Sequence, residues 1–188
     1  MNYLFTMSAV LEKSIPPQIL FSVEMYHTMY EQGLIPEKSE LIEGVVYSKM
    51  TKNPIHSDTV SKILILLIRS HSGKYRILSE NPISLQNSEP EPDIAVVAEG
   101  DYSKEHPKKA LLVIEVSNTT LNFDRKKASV YAKGNIPEFL IINLIDYKVE
   151  IYRSPKEGIY TEIKILSKEE IFSSVSVEGL QFSLSDFI

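Results

Sequence analysis

The sequence predicts an α/β (α+β) protein built as a mixed β-sheet flanked by helices. Three observations carry that reading. One segment, Ile55 to Ser70, repeats apolar residues at helical spacing through Val60, Ile63, Leu64 and Leu67. A second, Ala110 to Val116, is a continuous apolar run broken by one charge, the pattern of a strand buried on both faces. Around them lie short runs rich in Val, Ile and Tyr, so that the order is helix, strand, helix, strands, helix, strands.

Taken in order, residues 1–20 read as an irregular arm running through Pro16-Pro17, and residues 21–188 as a single domain. Ser22 is placed to cap a short helix that Gly33 would stop, with Val23, Tyr26 and Tyr30 on one face. Leu41 to Lys49 reads as one strand, followed by a turn at Asn53-Pro54. The long helix from Ile55 to Ser70 ends at Gly73. Tyr75 to Leu85 is extended and interrupted at Pro82, and Ile94 to Ala98 is a short strand. After Ala110–Val116, Thr119 to Lys133 is helical and is closed by Gly134 to Pro137. Phe139 to Asn143, Lys148 to Arg153 and Tyr160 to Leu166 are three further strands, and Val175 to Ile188 is apolar enough to pack back on the domain.

The chain has 188 residues, enough to bury roughly 70% of its unfolded surface in one core. It has no cysteine, which removes disulfides and thiolate metal sites and fits a reducing, cytoplasmic setting. No apolar run is long enough to span a membrane. Tyr3 to Leu11 makes a poor signal peptide, and Met7 is an alternative start. The net charge of −5 argues against a broad basic face for nucleic acid, leaving room for a local basic strip working with metal ions. No GxSxG elbow, Gly-rich phosphate loop or HExxH pair is present.

Glu115 is the most informative residue. It is the one charge in its apolar run, and a buried carboxylate needs a proton, a lysine or a metal to neutralise it. The bland alternative is a strand-end carboxylate that reaches water. Asp93 opens the preceding strand after Pro92, where turn chemistry is the ordinary explanation. The two carboxylates would converge if their strands ran antiparallel, and such oxygen ligands suit magnesium or manganese. In the following helix Asp124, Lys127, Ala128 and Tyr131 form one stripe. A lysine on that buried side would stabilise a developing anion or orient water, whereas a solvated Arg125-Lys126-Lys127 run is the plainer reading. His56 continues the Val60, Ile63 stripe and reads as a core histidine, while His27, His71 and His106 form no pattern.

Glu40-Leu41-Ile42-Glu43-Gly44, His56, Glu91-Pro92-Asp93-Ile94, Val113-Ile114-Glu115-Val116-Ser117-Asn118-Thr119-Thr120, Asp124-Arg125, Lys127 and Tyr131-Ala132 together resemble the Uma-two family of restriction endonucleases, within the PD-(D/E)XK superfamily. The resemblance covers about Phe21 to Phe187. It implies a restriction-endonuclease-like fold and a magnesium- or manganese-dependent endonuclease site acting on nucleic acid, with DNA the expected substrate and a homodimer a possible assembly. Asp93 and Glu115 match the motif acids and would hold the metal, and Glu40 matches a further acidic position. The usual lysine position, two after the glutamate, is Ser117 here. The lysine would instead come from the next helix, as Lys127 or, one residue earlier, Lys126. Two rival readings are a non-catalytic nucleic-acid-binding or regulatory domain and a carboxylate-pair glycosidase.

Overall fold

A computed structural model describes residues 18–70 and 73–188. The expected arm, apart from its last three residues, lies outside the described part, as does His71.

Helix α1 spans Val23–Glu31, and the Ser22 hydroxyl caps it by accepting from the Met25 amide at 3.1 Å. Tyr26 alone anchors its inner face, donating to the Ser39 carbonyl at 3.0 Å, and Tyr30 is exposed. The segment read as one strand is a hairpin: β1 (Ser39–Ile42) pairs antiparallel with β2 (Val45–Ser48). Glu43 (φ 49°) and Gly44 (φ 79°) make the turn between them. A two-residue hairpin turn with positive φ at both central positions is of type I′, a conformation that glutamate does not advertise. Gly44 is also required sterically, since a Cβ there would lie 2.6 Å from Leu20 Cβ.

Helix α2 runs from Pro54 to Ser70 with proline in its first position, where no amide donor is missed. Its Val60, Ile63 and Leu67 are buried. Strand β3 (Tyr75–Ser79) is shorter than expected, because Glu80 takes a positive φ of 56° and residues 80–92 continue as a loop. Then follow β4 (Ile94–Ala98), β5 (Leu112–Ser117), α3 (Leu121–Lys133), β6 (Glu138–Asn143), β7 (Lys148–Lys156) and β8 (Ile159–Leu166).

Strands β3-β4-β5-β6-β7-β8 form one six-stranded sheet in chain order. Only β5 and β6 are parallel, joined through α3, and the other pairs are antiparallel. The mixed sheet with helices on both faces is the expected fold class. Alternation along β5 divides the core. Leu112, Ile114 and Val116 face α2 and the C-terminal tail, while Val113 faces α3. The tail carries β9 (Ile171–Ser173), β10 (Gln181–Ser183) and a 3₁₀ turn over Leu184–Asp186. Phe182 packs on Phe172 and Phe187 at ring separations of 4.9 and 5.1 Å, and these rings share one apolar core with Val60, Ile63 and Leu67 of α2, so the tail packs back on the domain. Among the described residues no helix is long and apolar enough to cross a membrane.

Candidate active site

The site is built at one end of the β4–β5 pair. Those strands are antiparallel with Ile94 opposite Ile114, so the register carried one residue further sets Asp93 opposite Glu115. Strand alternation places Asp93, Glu115 and Ser117 on the face covered by α3. Glu115 is 4% exposed and Asp93 7%, so neither is a strand-end carboxylate in water.

Three groups hold Asp93. Its Oδ2 accepts from the Val116 amide at 2.8 Å and lies 3.1 Å from His56 Nε2, and its Oδ1 accepts from Lys52 Nζ at 2.8 Å. Burial acts against the charged form, but His56 and Lys52 outweigh it and hold the carboxyl well below the usual carboxylate range. Glu115 has a different environment. Its Oε1 accepts from Tyr131 Oη at 2.8 Å and from Lys127 Nζ at 3.1 Å, while among the described residues Oε2 has only a long contact of 3.4 Å from the Asp93 amide. Burial raises the Glu115 carboxyl, the Lys127 ammonium counters it, and Asp124, Asp93 and Glu40 add to the rise, which leaves it at about 8.

Lys127 is the hub. It is 4% exposed, and its Nζ lies 2.9 Å from Glu40, 3.1 Å from Glu115 and 3.9 Å from Asp124. Burial opposes its charge, but those three carboxylates raise its pKa overall. Glu40 reaches the site from β1 and also accepts from the Glu91 amide at 3.2 Å. Asp124 is fixed by Ser117 Oγ at 2.5 Å and Thr120 Oγ1 at 2.6 Å. Ser117, at the position where the resemblance leads one to look for a lysine, thus orients the helix residue one turn before Lys127. Lys126 is exposed at the cavity rim, about 100° round the helix.

All four candidate residues, Asp93, Glu115, Lys127 and Glu40, therefore converge. Sequence reasoning missed two groups. His56 was expected in the apolar core, yet it turns toward Asp93 from the first turn of α2, with Nδ1 buried and unpartnered among the described residues. Lys52 sits four residues before it in the loop. Helical spacing located His56 on the inner side of its helix, but only the sheet register tells that Asp93 lies there. Tyr131 packs inward as expected, and its hydroxyl donates to Glu115.

Glu40, Lys52, His56, Asp93, Glu115 and Lys127 form part of the lining of a cavity of about 630 Å³. Among the described residues no three His, Asp or Glu side chains converge as a ready metal cage. Magnesium binds through one or two carboxylates while keeping several waters. Asp93 and Glu115 fit that mode, since both are oxygen donors on the cavity and Glu115 Oε2 is barely engaged. Four buried carboxylates, Glu40, Asp93, Glu115 and Asp124, meet two lysines and a histidine, an excess of acid that a cation would offset.

No curated protein matches the chain. Among solved structures it is similar to a protein from Anabaena variabilis, described as "a putative nuclease belonging to DUF820", with a TM-score of 0.74 and 18% identity over 89% of this chain and 97% of that one. At that identity the likeness speaks for the fold. The family Uma2, described as "Putative restriction endonuclease", matches residues 23–185, which takes in the hairpin, both site strands and the lysine helix. On that match, over most of its length, the chain belongs to the Uma2 family.

Proposed function

We propose that the chain is a metal-dependent endonuclease that hydrolyses DNA phosphodiester bonds. The observation that carries this reading is the opposition of Asp93 and Glu115 on the wall of a cavity, with Lys127 held between Glu115 and Glu40. Asp93 and Glu115 would hold magnesium or manganese. The cation would supply a water of lowered pKa and offset charge on the scissile phosphate. Lys127 presents a fixed positive charge beside the same carboxylate, where it would meet the charge that develops on the phosphate. Asp124 and Glu40 hold the Lys127 ammonium in place, and His56 with Lys52 holds Asp93 in one orientation. A chain without cysteine suits the reducing cytoplasm, where such a substrate is met.

The test is cleavage of labelled DNA by purified protein with manganese or magnesium. Wild type should cut, and Glu115→Gln should lose cutting by roughly 10³-fold while melting as a folded domain. Full activity in Glu115→Gln would remove the nuclease assignment.

One observation favours a second reading, a nucleic-acid-binding domain that does not cut. Both Asp93 oxygens and one Glu115 oxygen already accept good hydrogen bonds from the protein. DNA binding with no cleavage, and a melting temperature indifferent to millimolar metal, would identify that case.

A further inference from the structure

The rim of the cavity differs from its floor. The floor is ionic: Asp93, Glu115, Lys127 and Glu40. The rim carries large apolar side chains that the fold leaves in solvent, with Tyr47 39% exposed, Met50 65% and Ile145 50%. Phe123, partly buried against the core, lies beside them, its ring 4.9 Å from that of Tyr47. These residues come from three separate parts of the chain, namely the β2 hairpin and the loop after it, the start of α3, and the turn after β6. Exposed apolar side chains also lie elsewhere on the surface, and what sets these apart is that they line the cavity of the ionic site.

The rim is also poor in free positive charge. Lys49 pairs with Glu91 at 2.9 Å, and Lys52 pairs with Glu80 at 2.9 Å as well as with Asp93. Of the lysines lining the cavity, Lys126 alone has no ion pair among the described residues. A duplex presents a charged backbone and hides its base faces, and its binders draw affinity from several lysine or arginine contacts to phosphate. This rim offers few such contacts to either form of DNA, so what separates the two here is the base face. An unpaired strand presents base faces, which stack on aromatic and apolar side chains. The distances suit that arrangement. Lys127 Nζ lies 3.1 Å from Glu115 Oε1 and 5.2 Å from the Phe123 ring centroid, so carboxylate and ring are within the span of one nucleotide.

We propose that the site takes unpaired DNA, with the bases beside the scissile phosphate stacked on the rim of Tyr47, Met50, Phe123 and Ile145. The proposal rests on the nuclease reading and names its substrate class.

The experiment compares a labelled single-stranded oligonucleotide with its own duplex. Binding is followed by fluorescence anisotropy and cutting is measured with manganese, for wild type, Tyr47→Ala and Tyr47→Phe. Wild type should bind and cut the single strand at least about tenfold better. Tyr47→Ala should lose about tenfold in single-strand affinity, the loss of one base stack, and Tyr47→Phe should restore it. Melting curves report whether each variant is folded. Equal or better cutting of the duplex, or a Tyr47→Ala variant that is folded and binds the single strand normally, overturns the inference and leaves the nuclease standing. Single-strand binding that depends on Tyr47, with neither DNA cut, supports the rim and overturns the nuclease.

Discussion

Glu115 and Glu150 occupy one row across the sheet, with Ile141 between them, and both are buried. Their surroundings differ. Glu150 accepts from Arg125 through Nε and a terminal nitrogen at 2.9 and 2.6 Å, from Asn143 at 3.0 Å and from Tyr152 at 3.0 Å. Burial acts against its charge, but those donors win and its pKa falls below the ordinary glutamate value. Glu115 is buried with only two good donors, and burial first, then its three acidic neighbours, carry its pKa up to about 8 against the Lys127 ammonium. Glu138, also buried, is neutralised by Arg153 at 2.6–2.7 Å and accepts a hydrogen bond from the Ser174 hydroxyl. A carboxylate inside an apolar strand is therefore no sign of chemistry by itself. What separates Glu115 is that the fold surrounds it with acids on a cavity wall, where the other two are closed by arginine.

That contrast predicts its largest effect in catalysis. Lys127→Gln should reduce the cleavage rate by roughly 10²–10³-fold with metal affinity little changed, because the lysine acts on charge that appears in the transition state. Lys126→Ala should keep a near-normal rate at saturating DNA, since its side chain never reaches the carboxylates. Single-turnover kinetics against metal concentration separates the two. The reversed result, with Lys126 essential and Lys127 dispensable, would break the proposed geometry.

Next comes stability at the closed carboxylate. Glu150→Ala leaves Arg125 and Tyr152 without their acceptor and removes one of the two that Asn143 uses. It should cost on the order of 2 kcal/mol, below the ~3–5 kcal/mol of a fully buried pair because Arg125 reaches solvent, with metal-dependent cutting retained. Urea unfolding of the variant checks the first part, and a cleavage assay the second.

The pH dependence of stability sharpens the same contrast. The folded-state pKa of Glu115 lies above its unfolded value, so the folded chain holds a proton that the unfolded chain has released. Stability from this group is complete below about pH 4.5 and falls as pH rises toward 8, with a slope approaching about 1.4 kcal/mol per pH unit. Asp93 and Glu150 are shifted down, so their contributions are intact across that window and are lost only in acid. Melting temperatures measured without metal between pH 5.5 and 8 should decline, and Glu115→Gln should flatten the decline. Millimolar magnesium should stabilise more at pH 8 than at pH 5.5, because metal and proton compete for one carboxylate. A flat wild-type profile would show that Lys127 already keeps Glu115 ionised.

The smallest effect concerns His56. His56→Gln should cost about 1 kcal/mol and leave the metal-induced rise in melting temperature in place, because Lys52 and the Val116 amide still hold Asp93. Loss of the metal response would place His56 in the site as more than an orienting neighbour.

The sequence by itself determined the sheet-forming strands, the two long helices and the division into apolar and polar faces, because these follow from local periodicity. It placed Ser22 as a cap and singled out Glu115, since a charge in a buried run is visible without a fold. It could not divide the β1–β2 hairpin, where the turn depends on a glutamate accepting positive φ beside Gly44. Nor could it show that Glu150 and Glu138 are buried as deeply, since Glu150 lies in a strand that also carries Lys148 and Arg153 and Glu138 opens its strand after Pro137. Only the tertiary structure decided which carboxylate meets an arginine and which meets Asp93, Glu40 and Lys127. Those partners come from as far apart as β1 and α3 and are brought together by sheet register and helix packing. Charge balance inside a protein is set by distances across the fold, and the local sequence pattern carries no record of them.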